Sequence, residues 1–147
     1  MGKGDYLNPH IDNSHDKDRK VYRRLNLLYY VTPNWKVNKG GNFELWDKAV
    51  IKKNTIISKF NRLVIMETNK TSWHSVNEVK VDEIRCCVSS YFYSQASPDN
   101  TKYFHVTSFT GRPNEKIKRI YGYIDNLIRD SFSKRTGIGR NKKHINK

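Results

Sequence analysis

Hydrophobic and polar positions alternate over short stretches for most of the chain, with turn residues between them, and the period changes after residue 112. Alternation places successive side chains on opposite faces of a strand. It predicts strands over residues 5–12, 24–32, 43–46, 49–51, 55–57, 62–67, 84–93 and 104–109. The run Leu25-Asn26-Leu27-Leu28-Tyr29-Tyr30-Val31 is rich in β-formers and too short for a helix, and residues 84–93 are the longest run of this kind. Pro33-Asn34 and Lys39-Gly40-Gly41-Asn42 read as breaks. Beyond them, Ile117, Ile120, Tyr121, Ile124, Leu127 and Ile128 follow helical spacing, which predicts an amphipathic helix over 115–130 lying on the sheet. Such a helix can cover a face but is not expected to pair a strand edge. A succession of short strands closed by one helix predicts a mostly β domain, a sandwich or barrel. Its organisation reads as a core over 1–112, a helix packed on it over 113–136, and a basic tail over 137–147.

Within the first strand, His10 and Asp12 are two residues apart and share a face. One imidazole and one carboxylate make two-thirds of the facial triad that holds non-haem Fe(II) with open coordination positions. The second imidazole must come from elsewhere. His74 is the best supplier, because it follows the apolar strand Leu63-Val64-Ile65-Met66 and its exit loop. His15, Asp16 and Asp18 lie in a polar loop over 13–20 and compete as ligands; His15 reads as a surface histidine. Trp35, Trp46 and Trp73 read as packing residues, with Trp73 placed beside a ligand where it can shape substrate access.

Composition narrows the class. At 147 residues the chain is long enough for one core and short for two. The net charge is +14 and the pI about 9.8, so a polyanionic partner has to be considered. Residues 112–147 hold 11 Lys/Arg against 3 Asp/Glu, a net of +8, and the other 111 residues hold 17 against 11. The basic C-terminal segment is therefore where nucleic acid could bind. Cys86 and Cys87 are adjacent and point to opposite faces of a strand, which disfavours a disulfide and offers no zinc spacing. That usage, with no signal peptide or apolar run of spanning length, predicts a soluble cytoplasmic protein with no membrane attachment.

Several short patterns occur in a fixed order: His10-x-Asp12, Arg24 through Val31, Trp35, Gly40-Gly41-x-Phe43-Glu44-Leu45-Trp46-Asp47, Asn61-Arg62-Leu63-Val64, Ser72-x-His74, and Arg85 with Tyr91-Phe92-Tyr93. As a set, over about residues 4–113, they resemble the prolyl 4-hydroxylase-like branch of the Fe(II)/2-oxoglutarate-dependent dioxygenases. The resemblance implies a double-stranded β-helix (jelly-roll) and an enzyme that uses O2 and 2-oxoglutarate to hydroxylate a prolyl or other side chain, releasing succinate and CO2. It implies Fe(II) ligands at His10, Asp12 and His74, and ascorbate as a reductant. Arg85 would grip the far carboxylate of 2-oxoglutarate, a task suited to a planar, permanently charged guanidinium. Tyr30 would place its hydroxyl on the same carboxylate, Asn26 would contact the cosubstrate, and Phe43 would line the pocket.

The chain departs from that pattern at its start. Relatives carry helices and a major strand before the His-x-Asp strand, whereas only nine residues precede His10 here. The N-terminal part of the usual domain is therefore expected to be missing, leaving a barrel with an unpaired edge. Two other readings stay open: a nucleic-acid-directed oxygenase of the same superfamily, favoured by the charge, and a catalytically inactive jelly-roll binding module. The substrate is not legible.

Overall fold

The fold is seen in a computed structural model that describes residues 1–98 and 100–136. Its logic is clearest in β2 (Tyr22–Tyr30), where Asn26, Leu28 and Tyr30 point inward while Leu27 and Tyr29 point out. β2 is flanked antiparallel by β5 (Arg62–Glu67) and β7 (Cys87–Ser94), giving a three-stranded sheet of order β5-β2-β7. Facing it is a five-stranded sheet of order β4-β3-β6-β1-β8. It is built from β1 (Leu7–Ile11), β3 (Phe43–Trp46), β4 (Lys53–Ile56), β6 (His74–Val76) and β8 (Ser108–Phe109). All pairings are antiparallel. The chain passes repeatedly between the two sheets, which is the jelly-roll that the resemblance implies and a form of the sandwich that the strand pattern predicts.

Between the sheets, Tyr30, Phe43, Val64 and Met66 form a buried cluster, with Leu28, Leu45, Ile56 and Cys87 packed against it. The outer face of the small sheet is apolar and open: Leu63, Ile65, Val88 and Phe92 are at least half exposed.

Some expected elements differ. Residues 49–51 form a turn, because Asp47 closes the β3–β4 hairpin, its carbonyl accepting from Val50 N at 2.9 Å and its carboxylate from Ile51 N at 2.7 Å. His74 opens a short strand, β6, held between β1 and β3. Of residues 104–109, only Ser108–Phe109 pairs as a strand. Residues 1–5 lie along residues 79–85, with Gly4 N donating to Val79 O and Arg85 N to Met1 O, each at 2.8 Å.

The helix α1 (Lys116–Thr136) docks with the face opposite to the expected one. Gly122 sits against β8 so closely that a Cβ there would lie 2.6 Å from Phe109 O. Asn126 donates to Phe109 O at 2.9 Å and accepts from Phe109 N at 3.2 Å, so a single amide side chain completes the edge strand as a neighbouring strand would. Arg119 adds bonds to Ala49 O and Val50 O, and Arg19 donates to Ser133 O. Meanwhile Ile117, Ile120, Tyr121, Ile124, Leu127 and Ile128 stay 51–85% exposed. Small and polar groups win the contact because β8 offers unpaired backbone groups there, and an apolar face cannot satisfy them. The predicted basic tail, 137–147, lies outside the described residues. Among the described residues no helix is long and apolar enough to cross a membrane.

Candidate active site

His10 lies on β1 directly opposite His74 on β6. Opposed residues in an antiparallel pair project from the same face, and the two rings sit with centroids 4.1 Å apart. Asp12, two residues beyond His10 and just past the end of β1, joins them. The candidate ligand atoms of the three residues all lie within 4.8 Å of one another. His10 and His74 are 6% exposed, so the cluster faces the interior.

Hydrogen bonds fix both rings. His10 Nδ1 lies 2.9 Å from Asn8 O, and His74 Nδ1 lies 2.9 Å from Ser72 O. A carbonyl can only accept, so these contacts assign the proton to Nδ1 and leave Nε2 as a lone pair. His10 Nε2 is 3.9 Å from Asp12 Oδ1, and His74 Nε2 is 3.6 Å from Asp12 Oδ2. Three acceptors thus converge with no donor among them, an arrangement that repels itself until a cation sits between. A neutral imidazole pair with one carboxylate is the donor set for a first-row divalent ion, and Nδ1 bonds to carbonyls are the usual support of such ligands. The residues fit the metal.

The charges agree with that assignment. Burial pushes the His10 imidazolium down from its ordinary range, and burial with the neighbouring His10 pushes His74 down to about 4. Burial alone would raise the Asp12 carboxyl, but the fields of His74, His10 and Arg23 together with the Asn26 bond leave it lower than usual.

A second polar cluster lies in the interior around Arg85, which is 6% exposed. Its Nε donates to Gly41 O at 2.6 Å and lies 3.3 Å from Ser58 Oγ. Gly41 has φ +63°, and a Cβ there would stand 2.8 Å from Arg85 Cδ, so glycine gives the guanidinium its room. No carboxylate among the described residues pairs with Arg85. Its Cζ is 5.1 Å from the centre of the Tyr30 ring, and the Tyr30 hydroxyl is buried with no hydrogen-bond partner. Burial pushes the Tyr30 phenol up, against the pull of Arg85. A buried cation with no anion among the described residues, beside a buried hydroxyl without a partner, has the donors to take a carboxylate. Phe43, 1% exposed, packs between the two regions, in the core with Tyr30 and 5.6 Å from the His74 ring.

Asn26, expected to contact the cosubstrate, gives its amide nitrogen to Asp12 Oδ2, and its Oδ1 is buried without a hydrogen-bond partner. One expected position turns out otherwise. His15 is buried rather than a surface residue, 8% exposed beneath Tyr22 and Phe104 and bonded to Ser14 Oγ at 2.8 Å. It is no part of the metal-type cluster. One residue that sequence reasoning passed over is Arg23, whose Nη1 stands 3.3 Å from Asp12 Oδ2. Its tandem partner Arg24 hid it.

The sequence profile of the 2OG-Fe(II) oxygenase superfamily matches residues 1–93. Prolyl 3-hydroxylase OGFOD1 of Mus musculus is 32% identical over 98 residues, covering 61% of this chain and 17% of the mouse protein. Its Xenopus laevis counterpart is 30% identical over 87 residues, covering 54% of this chain and 16% of the frog protein. The chain therefore spans about one sixth of the curated relatives it matches. Among solved structures, a prolyl 4-hydroxylase from Phytophthora capsici aligns over 90% of this chain and 41% of its own, with a TM-score of 0.51 at 20% identity, a likeness of fold.

Proposed function

This chain belongs to the 2OG-Fe(II) oxygenase superfamily, and we propose that it acts as an Fe(II)- and 2-oxoglutarate-dependent dioxygenase that hydroxylates a prolyl side chain. The observation that carries the reading is the convergence of three acceptors, on the buried His10 and His74 and the partly buried Asp12, with no donor among them. These residues would hold the iron. When bound, it supplies the activation of O2 that couples oxidative decarboxylation of 2-oxoglutarate, giving succinate and CO2, to insertion of one oxygen atom into a substrate C–H bond.

The chain's own residues would do the rest. Arg85 would take the far carboxylate of 2-oxoglutarate with two parallel N–H donors, and the Tyr30 hydroxyl would donate to the same group. Fixing that end orients the keto acid toward the cluster and removes the rotational freedom of a flexible diacid. Phe109 stacks on His10 with centroids 5.2 Å apart, so aromatic walls keep bulk water from the ligands. Ascorbate would serve as a reductant when turnover runs uncoupled. Cys86 and Cys87 are both free thiols, which favours a reducing compartment such as the cytoplasm.

A prolyl substrate is favoured by the relatives' names, prolyl 3-hydroxylase and prolyl 4-hydroxylase. The net charge of +14 favours a second reading, in which the substrate is carried on, or bound beside, nucleic acid. Anaerobic addition of Fe(II) and then 2-oxoglutarate should give a weak visible charge-transfer band. Admission of air with proline-containing peptides should yield succinate in step with a 16 Da mass gain on proline. Succinate without peptide modification would exclude the prolyl substrate, and neither band nor succinate would exclude the dioxygenase.

A further inference from the structure

β2 carries Arg23 and Arg24 in tandem, and alternation from Tyr30 through Leu28 and Asn26 would aim Arg24 at the site. The ladder to β7 slips at this point. Asn26 faces Tyr91, Leu25 faces Phe92 and Arg23 faces Tyr93, so Arg24 opposes no residue. A bulge of this kind inserts one residue and re-aims the next side chain. Arg24 turns away to Ala96 O and Ser97 O, at 3.1 and 3.3 Å. Arg23 turns in and is 9% exposed.

There its guanidinium lies over an aromatic ring. The Cζ stands 4.1 Å from the centre of the Tyr91 ring and 5.9 Å from that of Tyr93. Nη1 reaches Asp12 Oδ2 at 3.3 Å, and the same oxygen accepts the hydrogen bond from Asn26 Nδ2. One hydrogen bond, from Asn26, and one ion pair, from Arg23, therefore bear on Oδ2. Neither of them reaches Oδ1.

We propose that Arg23, with Asn26, is a positioning residue that makes Asp12 bind the metal through one oxygen. The inference rests on the iron reading above. A carboxylate oxygen that already accepts a hydrogen bond and is paired with a guanidinium is a poorer ligand than its twin, so Oδ1 is favoured to coordinate. Were Asp12 to bind through both oxygens, it would take one of the positions that the keto acid and O2 need. The seat over the Tyr91 ring explains why the residue is arginine: lysine would keep the charge without the fork that reaches Asp12 from that seat.

The test uses the full chain, titrated anaerobically with Fe(II), and the electron paramagnetic resonance spectrum of bound Mn(II) as a report of ligand geometry. Arg23→Met should weaken Fe(II) by roughly 10- to 100-fold, the range for loss of a ligand's supporting partner, and should alter the Mn(II) spectrum. Arg23→Lys should recover part of the affinity but not the parent spectrum. A merely structural arginine would lower the unfolding midpoint and leave the spectrum of the folded fraction unchanged. Parent-like affinity and spectrum in Arg23→Met would overturn the proposal. Should that variant fail to fold, Asn26→Ala removes the other donor without touching the ring stack, and an unchanged Mn(II) spectrum there overturns it equally. If the unaltered chain binds no Fe(II), the triad reading falls and takes this proposal with it, an outcome read on the parent alone.

Discussion

The His10–Asp12–His74 and Arg85–Tyr30 clusters are both buried and both polar, yet their charges are answered differently. Around the first, each imidazole Nδ1 meets a carbonyl and the carboxylate meets Arg23 and Asn26. Only the inward lone pairs are left over. Around the second, Arg85 finds a backbone carbonyl and a serine but no acid among the described residues, and the Tyr30 hydroxyl finds nothing. The first region is a framework fixed before any ligand arrives. The second keeps a deficit of one negative charge, so its order and its stability should depend on the anion it holds.

The largest expected effect is at the framework. His10→Ala, Asp12→Ala or His74→Ala should each abolish the charge-transfer band of the Fe(II)–2-oxoglutarate complex, whereas His15→Ala, outside the cluster, should leave it intact. Full iron binding without His74 would end the triad assignment.

At the deficit, the sign differs between the free and bound chain. Arg85→Met should lose about 3–5 kcal/mol of 2-oxoglutarate affinity, as for a buried charge deprived of its partner. The ligand-free chain should melt no lower, because an unpaired buried cation is removed. Correspondingly, 2-oxoglutarate should raise the melting point of the parent and not of the variant. A variant that still melts higher with the ligand would show that another cation holds it, and Lys59 and Arg62 would be tested next.

Acid should weaken the framework first. Burial holds His10, His74 and His105 below the ordinary histidine range in the folded chain. The unfolded chain takes up these protons near pH 6.5 and the folded chain does not, so stability is full above pH 6.5 and declines as pH falls. For His74 the decline runs from about 6.5 to about 4, at roughly 1.4 kcal/mol per pH unit for a single proton. Melting points recorded across that window should fall steadily; a flat profile would contradict neutral buried imidazoles.

The smallest effect is Tyr30→Phe. Losing one hydrogen bond to the cosubstrate should cost about 1 kcal/mol of affinity, and the ligand-free melting point should not fall, since the hydroxyl has no partner to lose. Calorimetry separates the two quantities.

Much of the site was legible because it obeys the strand period. His10 and Asp12 share a face by spacing alone, and His74 follows an apolar strand that had to turn back into the sheet. Arg85 and Tyr30 were legible through the ordered family patterns, while the missing anion around them is a fact of three dimensions. What escaped was set by contacts distant in sequence or by a break in period. The bulge at Arg24 exchanged the roles of two identical side chains. His15 is buried by residues 103–104, some 90 positions away. For α1, the period correctly marked an apolar stripe; the pattern of a helix says which residues could be buried, but the unpaired edge of β8 decided which face docked.

The bulge also has a consequence for how this gene can change. Because Arg24 opposes no residue on β7, removing its codon would leave Arg23 opposite Tyr93 and Leu25 opposite Phe92, a regular ladder with the same inward set. Only local contacts would go: those of the Arg24 side chain to Ala96 and Ser97, and its carbonyl's bond from Thr68 N. Removing a residue inside 26–30 has no such escape, since every strand side chain on one side of the cut would change faces. Within this strand, a three-nucleotide deletion is tolerable at the bulge and ruinous a few codons away.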